Sequence, residues 1–397
     1  MAETMKGVTL HADWDPRPGF KLGMKDIKGR QTYLGSQVWR RPELKIEEHK
    51  IPKPGPGEVL LEVKTCGICG SDVHMAQQDR DGYIWYPGLT GFPCILGHEC
   101  AGVVVDAGKG AFDKITLKAF KGGEKVCTEE MVWCGKCRPC ADGWPNHCEK
   151  LDEIGFNVNG AFAKYIVLPS RLLWSLEVLE DRYKGNEVFV AGSLVEPTSV
   201  AYNAVIERGG GIRPGDNVLI LGGGPVGMAA CAILKRAGAA RVILSEPEAG
   251  RRQMAKKMGA DYVINSKQES LGEAALDYTR GEGAALILEA TGLPTVVWPD
   301  IERVVWEGRT LNTTVVIVAR ADAKVPLTGE VFQVRRARVI GSQGHSGHGT
   351  FPRVINCMAT GMDMTPMVTK RIKLAQVPEN IVMLRDDRRN CKITCLM

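Results

Sequence analysis

Cys134, Cys137, Cys140 and Cys148 recur at the spacing C-x2-C-x2-C-x7-C. Four thiolates on one short stretch can close around a single tetrahedral metal. A site with four cysteine ligands has no open position, so it builds structure and does no chemistry. Gly135, Pro139, Gly143 and Pro145 supply the turns such a lobe needs, and Lys136 and Arg138 offset thiolate charge. A disulfide-bonded knot and an iron–sulfur cluster are the competing readings.

A second set of reactive residues is dispersed. Cys66 and Cys69 form C-x-x-C, followed closely by Ser71, Asp72 and His74; His98 and Glu99 follow a second apolar segment, and Glu196 lies far downstream. Thiolate, imidazole and carboxylate are the ligand types zinc takes. A catalytic zinc uses three protein groups and leaves one position for water or substrate. C-x-x-C alone would also suit a redox pair or half of a zinc ribbon, but no strand–turn–helix redox context surrounds it. Cys69 is favoured as the ligand and Cys66 as a small buried residue. Asp72 is a cap or turn residue, or better a group that fixes a ligand near the metal. His74 reads equally well as a surface histidine.

The third feature is Gly222-Gly223-Gly224-Pro225-Val226-Gly227, directly after the apolar run 218–221. Gly222, Gly224 and Gly227 fall on G-x-G-x-x-G: one glycine for a tight turn, one for backbone approach to a pyrophosphate, one for helix-on-strand packing. Pro225 suits a first helical turn, and Gly238 closes the helix. A second strand over 241–245 ends at Glu246, about twenty residues past the glycines, where a ribose 2′-hydroxyl would be held. A glycine-rich loop and a membrane span are the bland alternatives. The uncharged stretch 218–234 is shorter than a typical span of about 20 residues and is broken by glycines and a proline.

These sites need elements to hold them. Past Glu246, short strands alternate with helical segments, with strands expected at 262–264, 285–288, 315–318 and 338–340. That alternation implies a doubly wound parallel sheet. The half-buried pattern of 58–64 predicts a strand leading to the Cys66–His74 segment. The chain divides into residues 1–211, 212–342 and 343–397. The glycine-rich segment with His345 and His348 reads as a solvated loop, or one near a ligand, and 385–397, with Cys391 and Cys395, as a surface strand without a role.

At 397 residues, 44% hydrophobic and 24% charged, the chain can bury a large core. A net charge of +5 with no basic run gives little support to nucleic-acid or membrane-surface binding. The N-terminus has no apolar signal core, so a cytoplasmic location is expected. Thirteen cysteines, an odd number with nine before residue 150, fit metal binding better than a fully paired disulfide framework.

Taken together, Gly67-Ile68-Cys69-Gly70-Ser71-Asp72, Gly97-His98-Glu99, the four-cysteine lobe and the glycine turn resemble the zinc-dependent medium-chain dehydrogenases over almost the whole chain. The resemblance implies an α/β protein: a GroES-like, mostly-β catalytic domain with a structural zinc lobe, a Rossmann domain, and a C-terminal segment returning to the catalytic domain. It implies two Zn2+ per chain and NAD. Glu196, where some members carry a cysteine, points to the polyol and threonine dehydrogenase branch, in which Glu99 or Glu196 completes the catalytic shell directly or through water. Ser71 and His74 become members of a proton relay, and Thr291, Val318 and Arg320 fall where the family's chain passes the nicotinamide. Glu246 argues for NAD; Arg251 argues the other way, since an arginine there can accommodate a 2′-phosphate. A narrower likeness in 11–18, 192–205 and 343–353 implies a cyclitol substrate oxidised at a secondary alcohol, and the family implies a homo-oligomer, dimer or tetramer. The other readings are a sorbitol-type or threonine dehydrogenase, a zinc-free quinone reductase, which would lack these cysteines, and a non-catalytic protein that binds partners through its zinc lobe.

Overall fold

The computed structural model describes residues 3–321, 323–345 and 347–397. Strands β1 (Thr4–Trp14) and β2 (Trp39–Lys50) pair antiparallel from Thr4↔Lys50 to Trp14↔Trp39. In β3 (Glu58–Gly67) the period-two pattern sends Val59, Leu61 and Val63 into the core while Glu58, Glu62 and Lys64 stay partly exposed. The short β4 (Cys94–Ile95) adds to β1, and β5 (Glu99–Ala107) pairs with β3. Strand β6 (Lys125–Thr128) extends that sheet, β7 (Met131–Val132) and β8 (Asp152–Glu153) form a separate ribbon, and β9 (Tyr165–Pro169) and β10 (Leu173–Ser175) return to β3 and β6. The four cysteines of the lobe lie between β7 and β8.

The middle of the chain forms six parallel strands: β11 (Asn217–Leu221), β12 (Arg241–Ser245), β13 (Tyr262–Ile264), β14 (Leu286–Glu289), β15 (Thr314–Ile317) and β16 (Arg338–Gly341). Their order is β13-β12-β11-β14-β15-β16. The strand order reverses between β11 and β14, and a ligand crevice opens at the carboxyl ends of strands at such a point. The glycine turn leaves β11 there. Val218, Ile220, Val242, Leu244, Leu286 and Leu288 share one apolar core with the helices Val195–Tyr202, Pro225–Arg236 and Thr350–Ala359; Leu219, Leu221, Ile243, Ile287 and Val315 face the helices Leu271–Tyr278 and Pro294–Glu307. Both faces are covered, which is why these strands read as continuous apolar runs.

The chain then comes back. Strands β17 (Val368–Lys373) and β18 (Lys392–Leu396) join the sheet of β3, β5 and β6, with β18 lying between β17 and β3 and Cys395 opposite Cys66. The surface strand expected over 385–397 is therefore corrected for its second half. Flanked on both sides, β18 is an interior strand, and Lys392, Ile393, Thr394 and Cys395 are buried. No helix among the described residues is long and apolar enough to cross a membrane.

Candidate active site

Strand β3 delivers Cys69 to the start of the helix Gly70–Ala76, whose Asp72 accepts the Cys69 backbone N–H at 2.8 Å. Asp72 is fully buried, accepts the Gly97 N–H at 3.4 Å, and places Oδ1 3.9 Å from Nδ1 of His98. One carboxylate thus ties the first segment to the second and faces the rear of the His98 ring. The other ring nitrogen, Nε2, lies 3.5 Å from Ser71 Oγ. Donor atoms of Cys69, His98 and Glu99 lie within 4.8 Å of one another. Burial would depress the His98 pKa, yet Cys69, Asp72 and Glu196 push it well above its ordinary value. Such a buried negative potential is what a divalent cation fills, and the donor set suits zinc.

Two buried cations partner the nearby carboxylates. Both Glu99 oxygens meet Lys392 Nζ, at 2.5 and 2.6 Å, and the same ammonium donates to Ile68 O at 3.0 Å. Burial would lower the Lys392 pKa; Glu99 beside it holds the ammonium charged, above its ordinary value. Gly67 makes the room, because any Cβ there would overlap the Glu99 carboxylate. Glu196, in the first turn of the helix Val195–Tyr202, is not among the donors grouped with Cys69 and His98. It groups instead with Glu130 and His345, whose Nε2 lies 3.2 Å from Glu196 and 3.5 Å from Glu130. The two carboxylates overcome desolvation and push the His345 pKa up to about 10.

His345 is fully buried, which corrects the expectation of a solvated loop. Asn203 donates to Gly344 O at 2.9 Å and Asn146 to Gln343 O at 2.8 Å, so side chains from two other segments pin the loop inward. Asn203 opens a π-helical segment, Asn203–Arg208, a distortion often found near functional sites.

Ser71 and His74 lie three residues apart on one helix and so share a face. His74 is half-buried, its ring 6.4 Å from that of Trp85, and burial together with Arg388 lowers its pKa, keeping the imidazole neutral near pH 7. No hydrogen bond joins Ser71 to His74 among the described residues. Cys66 is fully buried, with its thiol pushed up by burial, as suits an inert packing residue.

The lobe sulfurs converge. All four lie within 4.8 Å of one another, and every cysteine is a free thiol, so the lobe is not a disulfide knot. Backbone N–H groups of Lys136, Cys134 and Lys150 point at sulfur over 3.3–3.4 Å. Those of Lys136 and Cys137 bring the Cys134 thiol down to about 6, toward the thiolate a metal requires.

The three motif glycines have separate reasons. Gly222 has φ +102°; a Cβ at Gly227 would overlap Gly222 O; a Cβ at Gly224 would meet nothing within 4 Å, leaving backbone open to a pyrophosphate. Gly224 caps the helix Pro225–Arg236, with Pro225 and Val226 in its first turn, and that N-terminus favours an anion. Glu246 is buried at the end of β12, its two oxygens accepting N–H bonds of 2.9 Å from Gly223 and Glu248. Arg251 stands 3.9 Å from it and donates to Asn390 O at 2.7 Å. Thr291 and Val318 follow β14 and β15 and both bond to Glu289. The Arg320 guanidinium lies 5.3 Å over the Tyr86 ring.

A thiolate–imidazole–carboxylate cluster beside a dinucleotide cradle, with a separate four-thiolate lobe, defines a zinc-dependent dehydrogenase using a nicotinamide dinucleotide. The chain belongs to the zinc-binding alcohol dehydrogenases: residues 55–178 match the alcohol dehydrogenase GroES-like domain and residues 225–360 the zinc-binding dehydrogenase family. It is 63% identical to scyllo-inosose 3-dehydrogenase of Thermotoga maritima, over 99% of this chain and 100% of that one. L-threonine 3-dehydrogenase of Pyrococcus horikoshii is 32% identical over 83% and 88% of the two chains. A solved structure from Thermotoga maritima matches with a TM-score of 0.96 at 63% identity, covering 99% and 100%. The 2R,3R-butanediol dehydrogenase of Bacillus subtilis matches at 0.75 and 25% identity, with 99% of each chain covered.

Sequence reasoning missed Lys392, Glu130 and the role of His345. The only local hint was a lysine in an otherwise apolar closing strand.

Proposed function

We propose that the protein oxidises a secondary alcohol of a cyclitol, of the scyllo-inosose class, with NAD. The observation that carries this reading is 63% identity to scyllo-inosose 3-dehydrogenase across effectively both whole chains. Cys69 and His98 hold the catalytic metal, with Glu99 against it and steadied by Lys392; Cys134, Cys137, Cys140 and Cys148 hold the structural one. When bound, zinc acidifies a substrate hydroxyl and nicotinamide accepts the carbon's hydride. Ser71, beside His98, takes the hydroxyl proton, and the neutral His74 on the same helical face passes it outward. Asp72 fixes the His98 ring. Thr291 and Val318 line the nicotinamide end of the crevice.

The test is nicotinamide absorbance with scyllo-inosose, sorbitol and L-threonine, with and without chelator. The cyclitol should be turned over fastest, and chelator should abolish turnover. A faster rate with threonine would replace the cyclitol by an amino alcohol, and chelator-resistant turnover would contradict the metal's role.

Glu246 decides the dinucleotide. Its carboxylate accepts from a ribose hydroxyl and repels a 2′-phosphate. NAD should be preferred over NADP by at least about tenfold in kcat/KM, the worth of a charged hydrogen bond of about 1.5–3 kcal/mol. Glu246→Ala should narrow or reverse the ratio, leaving Arg251 free to meet the phosphate. A wild-type preference for NADP would refute this role.

Thirteen cysteines with no disulfide among them suit a reducing compartment, the cytoplasm. The open edge of β16, near the exposed Leu311 and Val334, suits pairing with a second copy as a dimer or tetramer. Light scattering that returned a monomer mass would contradict the oligomer.

A further inference from the structure

The family resemblance sets Arg320 where the chain passes the nicotinamide, and its guanidinium reaches residues of the N-terminal half. It rests over Tyr86, and Gly88 leaves the slot: a Cβ at Gly88 would overlap the guanidinium and the Tyr86 ring. Gly88 is not in the left-handed region, so the glycine serves room and not backbone angle. No carboxylate among the described residues lies within 4.0 Å of Arg320, so the guanidinium has no ion-pair partner among them.

The wall beneath it leads to the metal site. The Tyr86 ring lies 5.2 Å from Phe156, and Phe156 lies 4.8 Å from the His98 ring. Glu153 belongs to the same wall, its carbonyl oxygen accepting the Phe156 N–H at 3.1 Å, and both Glu153 and Arg320 act on the Tyr86 hydroxyl. Glu153, on β8, is 3% exposed, and its Oε2 has no hydrogen-bond partner. Burial first, and Glu130 next, push its carboxyl up to about 8, so it holds a proton near pH 7 and can donate as well as accept. A buried polar atom without a partner is destabilising, and a ligand hydroxyl can supply that partner.

A guanidinium fork and a protonated carboxyl offer donors and an acceptor spaced along one wall. A ring bearing neighbouring hydroxyls satisfies both, since each hydroxyl accepts and donates. An ammonium would instead meet the Arg320 guanidinium. We propose that Arg320 and Glu153 form the subsite that grips substrate hydroxyls remote from the reacting carbon, selecting polyhydroxylated rings over monohydric alcohols and amino alcohols. This rests on the cyclitol reading above and adds the residues that enforce it.

The test compares Arg320→Met, Glu153→Gln, Glu153→Leu and Gly88→Ala with wild type, using scyllo-inosose and propan-2-ol, alongside zinc content and the Kd for NAD. Arg320→Met should lower kcat/KM for the cyclitol at least about tenfold more than for propan-2-ol, mainly through KM, as expected when a charged hydrogen bond is lost. Glu153→Gln, which keeps a donor and an acceptor, should be mild, and Glu153→Leu, which keeps neither, should select against the cyclitol in the same sense as Arg320→Met. Gly88→Ala, which displaces the guanidinium, should reproduce Arg320→Met. Zinc should stay at two per chain and the Kd for NAD should hold. Equal losses on both alcohols, or a weakened Kd for NAD in Arg320→Met, would overturn the subsite while leaving the cyclitol reading intact. A wild-type protein that oxidises propan-2-ol but no cyclitol would overturn both.

Discussion

The Cys69→Ser protein will carry one zinc per chain in place of two, and its alcohol oxidation will fall by at least about a thousandfold. Cys69 is the only thiolate among the donors grouped with His98 and Glu99, and Glu99 is already paired with Lys392. A serine hydroxyl is neutral at working pH, and His98 with a paired carboxylate makes a poor zinc site. Without the metal the substrate hydroxyl keeps a pKa near about 15 where a metal-bound oxygen can reach about 7, and far less of it is ionised. Cys66→Ser is the control. Cys66 lies three residues away but is buried against β18, so that change should retain both metals and cost only packing. Metal analysis beside a nicotinamide assay reads both. Two zincs and an undiminished rate in Cys69→Ser would remove the metal from the mechanism.

Lys392→Met will destabilise the fold by about 3–5 kcal/mol, the cost of leaving a buried charge without its partner. The wild-type ammonium is fully buried and meets both Glu99 oxygens. Because Glu99 holds the Lys392 pKa above its unfolded value, the pair's contribution is fully present below the unfolded lysine value. It is lost only as the pH rises through the raised one. In the variant the sign moves to Glu99. A buried carboxyl without its cation titrates above its unfolded value, so folding is favoured while it is protonated. The penalty should therefore be small near pH 5 and grow toward pH 8. Urea midpoints at an unchanged m-value measure this, and Lys392→Met with Glu99→Gln should recover most of the loss. A variant as stable as wild type at pH 8 would contradict it.

These two residues show what the sequence could and could not disclose. The glycine turn, the parallel strands and the four-cysteine spacing are legible because each is local. Turn, strand and helix follow one another within a few residues, and each residue type has a separate steric or electronic reason. Lys392 and Glu99 are 293 residues apart, and no periodicity connects them. β18 is buried because β3 and β17 flank it, a fact of topology that is invisible in a short tail rich in charges. His345 misleads for the opposite reason. Glycines on both sides suggest a loop, but Asn203 and Asn146 turn it inward, and only the folded chain brings Glu130 and Glu196 to it. Arg320 carries no local signal of where its side chain goes: the backbone follows β15, and the room that Gly88 leaves beside Tyr86 receives the guanidinium.

The central claim is that a metal held by the N-terminal half faces a nicotinamide held by the middle of the chain. Anomalous diffraction at the zinc edge, from crystals grown with NAD, tests it directly. The account predicts one peak within the four-cysteine lobe and a second between Cys69 Sγ and His98 Nε2, with the nicotinamide ring turned toward the second peak from the crevice beside Gly222 to Gly227. A peak at the lobe alone, or a ring facing away from Cys69 and His98, would contradict it.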